Sequence, residues 1–297
     1  MFDLTNYINN KNQQINAELE KLLLGCEKAQ PLVDAMRYSL MAGGKRIRPV
    51  LCLAAAEAVG GRAEDALTTA CALEMVHTYS LIHDDLPAMD DDRKRRGKPT
   101  CHIAFDEATA ILAGDALLTV AFEVLSAMNF TENSTQAVQR LNVIQTIATA
   151  AGCRGMIQGQ MLDIASEGHR VSREDLEGMH ALKTGALIEA SLQCGALLGR
   201  ASKSQMEMLK TYAANIGLAF QVADDILNVE GNPQLMGKDV GTDALREKST
   251  YPSLLVIEAS KRFAWDLIQN ALQAIETFDK KSEPLRAIAV YIIERKR

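Results

Sequence analysis

Five carboxylates fall within nine positions in the segment His83-Asp84-Asp85-Leu86-Pro87-Ala88-Met89-Asp90-Asp91-Asp92. Pro87 disfavours helical geometry at Leu86, so Asp84 and Asp85 stand at the C-terminal end of the helix that precedes them. That end carries the negative pole of the helix dipole, where added negative charge destabilises unless a cation compensates. A hard divalent ion held by carboxylate oxygens, such as Mg²⁺ bridging to phosphate oxygens, meets that need. A second cluster repeats the logic: Gln221-Val222-Ala223-Asp224-Asp225-Ile226-Leu227-Asn228 lies in about the last two turns before Gly231-Asn232-Pro233. Asp224 and Asn228 are four apart and share a helix face, with Gln221 one turn back on it. The apolar neighbours Phe220, Val222, Ala223, Ile226 and Leu227 exclude a fully solvated surface there. Two aspartate pairs at two helix ends could together hold a shared group of metals. A calcium hand is excluded, because its required Gly and terminal Glu are missing at the right offsets.

Cations accompany both clusters. Gly43-Gly44-Lys45-Arg46-Ile47-Arg48-Pro49 places three of them after a glycine pair, near a helix start. Glycines allow close backbone approach, and exposed amides with Lys and Arg suit a phosphate. Arg93-Lys94-Arg95-Arg96-Gly97-Lys98 follows the first aspartates directly, and those aspartates would repel nucleic acid. His77 lies two turns before Asp84 on the same face. Lys183 beside Thr184, Lys238 and Lys248 are further cations, each unspecific alone. A diphosphate approaches aspartates only through divalent cations, whereas it binds Lys and Arg directly. Both kinds of site in one sequence point to two diphosphates.

These residues need helices to position them. The hydrophobic fraction is 47% with only 5% aromatic, an aliphatic mixture that favours helix over strand. Prolines at 31, 49, 87, 99, 233, 252 and 284 leave long uninterrupted intervals. Periodicity predicts helices over 12–25, from Pro31 to before Gly43-Gly44, over 47–59 up to Gly60-Gly61, and over 63–85. Further helices are predicted over 105–128, 135–151 and 153–165. Ser172 with Asp175 makes a capping box for one long helix to about 198. Another helix runs from about 203 to 229, a Gly-rich loop from Gly231 to Ser249, and two or three helices close the chain. No alternating strand pattern, linker or repeat is evident, which predicts one helical domain over residues 1–297 with its site between helices. The net charge of −6 argues against a general nucleic-acid partner. No apolar run approaches the roughly 20 residues that span a bilayer, and the start Met1-Phe2-Asp3-Leu4 lacks signal-peptide character. Six cysteines without a close pair fit neither zinc nor disulfides. The expectation is a cytoplasmic protein without stable membrane insertion.

Taken together, these residues resemble the trans-prenyltransferases, or isoprenyl diphosphate synthases, from about Met36 to Tyr251. The resemblance is carried by Gly43 to Pro49, by Asp84 to Asp90 with Arg95-Arg96-Gly97, by Gly159-Gln160 with Asp163, by Lys183-Thr184, and by Asp224-Asp225. It is close to the bacterial farnesyl diphosphate synthases, whose first motif carries the same two-residue insertion. The likeness implies an all-α isoprenoid synthase fold of about ten or more helices around a central cavity. It implies that Asp84, Asp85, Asp90 and Asp224 hold three Mg²⁺ ions on an allylic diphosphate, with Asp225 a further ligand or a support for one. Arg95, Lys183 with Thr184, Gln221 and Lys238 would grip the same group; Gly44, Lys45, Arg48, His77 and Arg96 would bind isopentenyl diphosphate. Asp84, Asp85, Lys183 and Asp224 are thereby the expected catalytic set. Asn228 departs from the family's usual Asp; it keeps an acceptor oxygen and loses a charge. Tyr79, five residues and roughly 7.5 Å before Asp84, occupies the family's length-determining position and implies the fifteen-carbon product. Homodimerisation is implied by the family alone, and the loop from Gly231 to Ser249 is the expected lid. Geranyl or geranylgeranyl products, or a non-catalytic partner subunit favoured by Asn228, remain open. A terpene cyclase would have no use for a second diphosphate site, so Lys45, Arg48 and Arg96 count against it.

Overall fold

A computed structural model describes residues 2–23, 30–127, 134–230 and 249–295. The fold is all-α. Helices α1 (Leu4–Leu23), α2 (Gln30–Leu40), α3 (Ile47–Ala58) and α4 (Ala63–Asp84) lead to the first aspartates. Helices α5 (Cys101–Ala104), α6 (Glu107–Ser126), α7 (Ser134–Ala151), α8 (Met156–Ser166) and α9 (Arg173–His180) follow. Then come α10 (Ala186–Leu198), α11 (Lys203–Glu230), α12 (Tyr251–Leu255), α13 (Ile257–Ala274) and α14 (Glu283–Glu294).

Helix α4 is central. Ala66, Ala70, Leu73, Met75, Val76 and Ile82 are buried around its circumference, as expected of a helix with apolar residues on every side. It packs on α3, α6 and α10, and α10 packs in turn on α3, α7 and α11. Helices α4 and α11 therefore flank α10, and each ends in one acidic cluster. A continuous core of buried residues runs from Ile15 on α1 to Ile292 on α14.

Four sequence expectations need correction. Helix α1 begins at Leu4, eight residues before the predicted start, because Asp3 caps it through Asn6 N–H (3.0 Å). The polar run Asn9–Gln14 hides this periodicity, yet Leu4, Tyr7 and Ile8 pack on the core. The predicted long helix from Ser172 is capped as expected, with Ser172 Oγ accepting from Asp175 N–H at 3.1 Å. It is then interrupted by a π-helical turn over Ala181–Gly185, a distortion common at functional sites. A small antiparallel ribbon pairs Lys94–Arg95 with Lys98–Pro99 where only loop was expected. Arg96 (φ 54°) and Gly97 (φ 77°) close it with the two left-handed residues that match strand twist. Finally, α6 is long and apolar enough to cross a membrane by composition, with a mean hydropathy of 1.7. One side, including Ala110, Ala113, Leu117 and Ala121, is buried, and the helix lies against α4, while Ile111 and Leu112 are exposed.

Candidate active site

The first cluster is folded back on itself. Beyond Asp84, the last residue of α4, Asp90 N–H donates to the Asp84 carbonyl at 2.8 Å, which brings the two residues together. Burial raises the Asp84 carboxyl to about 6; Lys183 and Arg95 oppose the rise, while Asp90 and Asp85 add to it. Asp85 is buried and receives Arg95 Nε on both oxygens at 2.9 Å and Nη2 on Oδ1 at 2.6 Å. Burial still lifts its carboxyl above the usual range. A carboxylate desolvated beside two others, at the negative pole of a helix, fits a divalent cation. Among the described residues, no three His, Cys, Asp or Glu side chains form a ready-made metal cage. Mg²⁺ commonly uses one or two carboxylates and completes its shell with water and substrate phosphate, so the donor set suits it.

The second cluster is answered by the protein's own donors. Asp224 Oδ1 accepts from Arg295 Nη2 at 2.6 Å. That guanidinium lies 3.9 Å above the centre of the Phe220 ring and donates to the Phe220 carbonyl at 3.0 Å. Asp225 is buried and accepts from Gln221 Nε2 and from the Tyr251 amide, both at 3.0 Å. Asn228, on the same helix, is also buried.

The π turn joins the two clusters. Lys183 bonds Asp163 of α8 at 2.6 Å, and its charge is the strongest influence opposing the rise of Asp84. Thr184, the next residue, donates to Gln221 Oε1 at 3.1 Å. Gly159 of α8 has no room for a Cβ against the Lys183 backbone, which explains glycine in that signature.

The cations split into two groups. Arg46 turns inward, where its Nη1 meets Glu74 at 2.6 Å with both side chains almost fully buried. Removing either partner of such a pair costs roughly 3–5 kcal/mol, so Arg46 belongs to the framework. Gly44, Lys45, Arg48, His77 and Arg96, with the Arg46–Glu74 pair beside them, line a cavity of about 790 Å³. Arg48 Nη1 lies 3.3 Å from His77 Nε2. Burial, and then the charges of Arg48, Arg96, Arg95 and Arg46, hold the imidazole well below its usual pKa. His77 is thus neutral at pH 7, accepting at Nε2 and protonated at Nδ1. Arg48 Nε is buried without a partner among the described residues. Arg96 donates to the Gly43 carbonyl and lies against Gly44, whose φ of 115° favours glycine. Crowded cations with an unpartnered donor call for an anion.

Sequence reasoning missed the far wall of this cavity. Phe220, Tyr291 and Arg295 also line it, and Lys45 Nζ lies 5.4 Å from the Tyr291 ring centre. No local signal ties Arg295, just past the end of α14, to Asp224, 71 residues earlier. Tyr79 is 6% exposed, edge-on to His83 at 5.8 Å, with its hydroxyl buried and unpartnered among the described residues. Burial and the Asp84 charge raise its phenol to about 12. Lys238, Lys248 and the expected lid up to residue 248 lie outside the described residues.

Comparison with known proteins agrees with this geometry. Residues 29–287 match the polyprenyl synthetase family. The chain is 48% identical over 287 residues to a farnesyl diphosphate synthase of Haemophilus influenzae, covering 95% of each protein. It is 46% identical over 297 residues to a geranylgeranyl diphosphate synthase of Cyanophora paradoxa, covering 99% of this chain and 97% of that one. The solved FPP/GFPP synthase of Zymomonas mobilis superposes with a TM-score of 0.86 at 40% identity, covering 98% of both chains. The chain belongs to the polyprenyl synthetase family of trans-prenyltransferases and has its isoprenoid synthase fold.

Proposed function

We propose that this protein condenses dimethylallyl or geranyl diphosphate with isopentenyl diphosphate to give (E,E)-farnesyl diphosphate and diphosphate. The observation that carries the reading is the adjacency of opposite charges: Arg48 bonds His77 inside the basic cavity, and Arg295 on the same cavity wall holds the Asp224 carboxylate at 2.6 Å. Asp84, Asp85, Asp90 and Asp224 would hold three Mg²⁺ ions, which supply charge neutralisation for a departing diphosphate. Arg95, Lys183, Gln221 and Lys238 orient that allylic diphosphate. Lys45, Arg48, His77 and Arg96 bind the second diphosphate directly and aim the isopentenyl double bond at the allylic carbon. No side chain here is assigned as general base; the departed diphosphate takes the proton. Neutral His77 donates through Nδ1 and leaves the cationic work to the arginines. Tyr79, roughly a turn and a half below Asp84, closes the apolar end of the site and limits the chain to fifteen carbons. The family resemblance extends the proposal to a cytoplasmic homodimer of single-domain chains.

Labelled isopentenyl diphosphate, supplied with dimethylallyl or geranyl diphosphate with and without Mg²⁺, tests this by product sizing. The expected result is a Mg²⁺-dependent fifteen-carbon product from the unaltered protein and longer chains from Tyr79→Ala. A twenty-carbon product from the unaltered protein would replace the farnesyl assignment, and an unchanged product from Tyr79→Ala would remove Tyr79 from its role.

A further inference from the structure

Arg95 and Arg96 are neighbours in sequence yet serve different ends of the site. Arg95 holds the buried Asp85 of the first cluster, and Arg96 reaches the Gly43 carbonyl at the basic cavity. Both ride the ribbon that pairs Lys94–Arg95 with Lys98–Pro99, two residues to a strand. A two-stranded hairpin has little stability of its own, so its placement depends on what fastens it. Close packing is incomplete. A gap of about 30 Å³, room for roughly one water, separates the ribbon from Thr78, Leu81 and Ile82 of α4 and from Ser39 of α2. The two arginines fasten the ribbon, but each with the guanidinium that a diphosphate would claim. A fastening that no ligand contests comes from α2. The Tyr38 hydroxyl donates to the Pro99 carbonyl at 2.8 Å, across 61 residues of sequence. Pro99 stands opposite Lys94 in the ribbon, next to the Arg95–Lys98 pair. The Tyr38 ring meets Phe105 edge-on at 5.6 Å, and Thr100 N–H closes the ribbon's base on the Arg93 carbonyl at 3.1 Å.

Resting on the function proposed above, we infer that Tyr38 is a positioning residue for both diphosphates at once. Its hydroxyl sets the ribbon against α2, from whose end the chain runs into Gly43, Gly44 and Lys45. Arg95 and Arg96 share one turn, closed by the left-handed Arg96 and Gly97, so they are placed or misplaced together. Tyr38 does not line the basic cavity and acts through the ribbon alone.

Tyr38→Phe tests this, because it keeps the ring against Phe105 and removes only the hydroxyl. Calorimetric titration of the unaltered protein and the variant measures two ligands separately. One is isopentenyl diphosphate alone; the other is geranyl thiodiphosphate with Mg²⁺, a sulfur-bridged analogue that resists ionisation. Both should bind the variant about 2- to 5-fold more weakly, by matching factors, the scale of one lost hydrogen bond. Turnover at saturating substrates should stay within about twofold, the pattern of an interaction lost equally from bound substrate and transition state. A merely structural tyrosine would lower the melting temperature and leave both affinities alone. Unchanged affinities, or weakening of one ligand only, would overturn the inference and leave the reaction standing. An unaltered protein that binds neither ligand would overturn the proposed function, and this inference with it.

Discussion

At the end of α4, Asp84 is desolvated beside Asp85 and Asp90, with Lys183 and Arg95 only partly offsetting them. At the end of α11, Asp224 is met by Arg295, and Asp225 by Gln221 and the Tyr251 amide. Similar sequences thus stand in different electrostatic states. At the first cluster the protein's own cations leave Asp84 desolvated and its carboxyl raised, a cost that a divalent cation would relieve. At the second, Asp224 Oδ1 is already met by a guanidinium, so a cation bound there would share that carboxylate with Arg295 or displace it. Acidic motifs that read alike need not bind alike, because what surrounds them decides the cost of filling them.

The comparison can be broken most directly at Asp84. Replacing it with Ala should lower turnover by about 1000-fold at saturating Mg²⁺, the upper range for removing one preorganised charge-stabilising group. A loss under about tenfold in steady-state product formation would show that the first cluster is not where the reaction is supported.

A smaller effect concerns stability without metal. The folded Asp84 binds its proton more tightly than an unfolded aspartate, so its ionisation weakens the fold as pH rises from about 4 through 6. Asp84→Asn should therefore stabilise the metal-free protein by about 1–3 kcal/mol at pH 8, and not at pH 4. Asp224→Asn, which leaves Arg295 with a weaker partner, should not stabilise at either pH. Urea unfolding at the two pH values checks both statements, and equal behaviour of the two variants would erase the contrast.

The smallest expected effect is at the exchange itself. Arg295→Gln removes the internal competitor for Asp224, an ion pair half open to solvent on the acid side. Such pairs are worth about 0.2–1 kcal/mol, so the metal-binding constant should tighten by about 1.4- to 5-fold. Calorimetric titration with Mn²⁺ would measure it, and weaker binding would mean that Arg295 assists the metal.

Much of this site was legible because chemistry constrains residue type and spacing. Asp84, Asp224, Lys45, Arg48, His77 and Arg96 could be picked out without coordinates, as could α3, α4 and the end of α11. What escaped depends on contacts between distant segments. Nothing in Lys45-Arg46-Ile47-Arg48 says which arginine turns inward; Glu74, one helix away, decides it. The Arg96–Gly97 turn required a backbone conformation that Arg seldom adopts, and the ribbon was missed with it. Helix α1 was read short because its apolar contacts are widely spaced among amides. Asp224 and Asp225 differ in their partners, Arg295 and the Tyr251 amide, neither near in sequence.

The widened turn at Ala181–Gly185 also has a consequence for how this chain tolerates length changes. A helix advances about 100° with each residue, and the widened turn takes up one extra residue so that α10 keeps its phase with α9. Deleting one residue there would restore regular winding and leave Leu187, Ile188 and Leu192 in the interior, at the cost of the turn that carries Lys183 and Thr184. The same deletion further along α10, with no widened turn to take it up, would rotate the bundle's middle by about 100° out of register with its acidic tips.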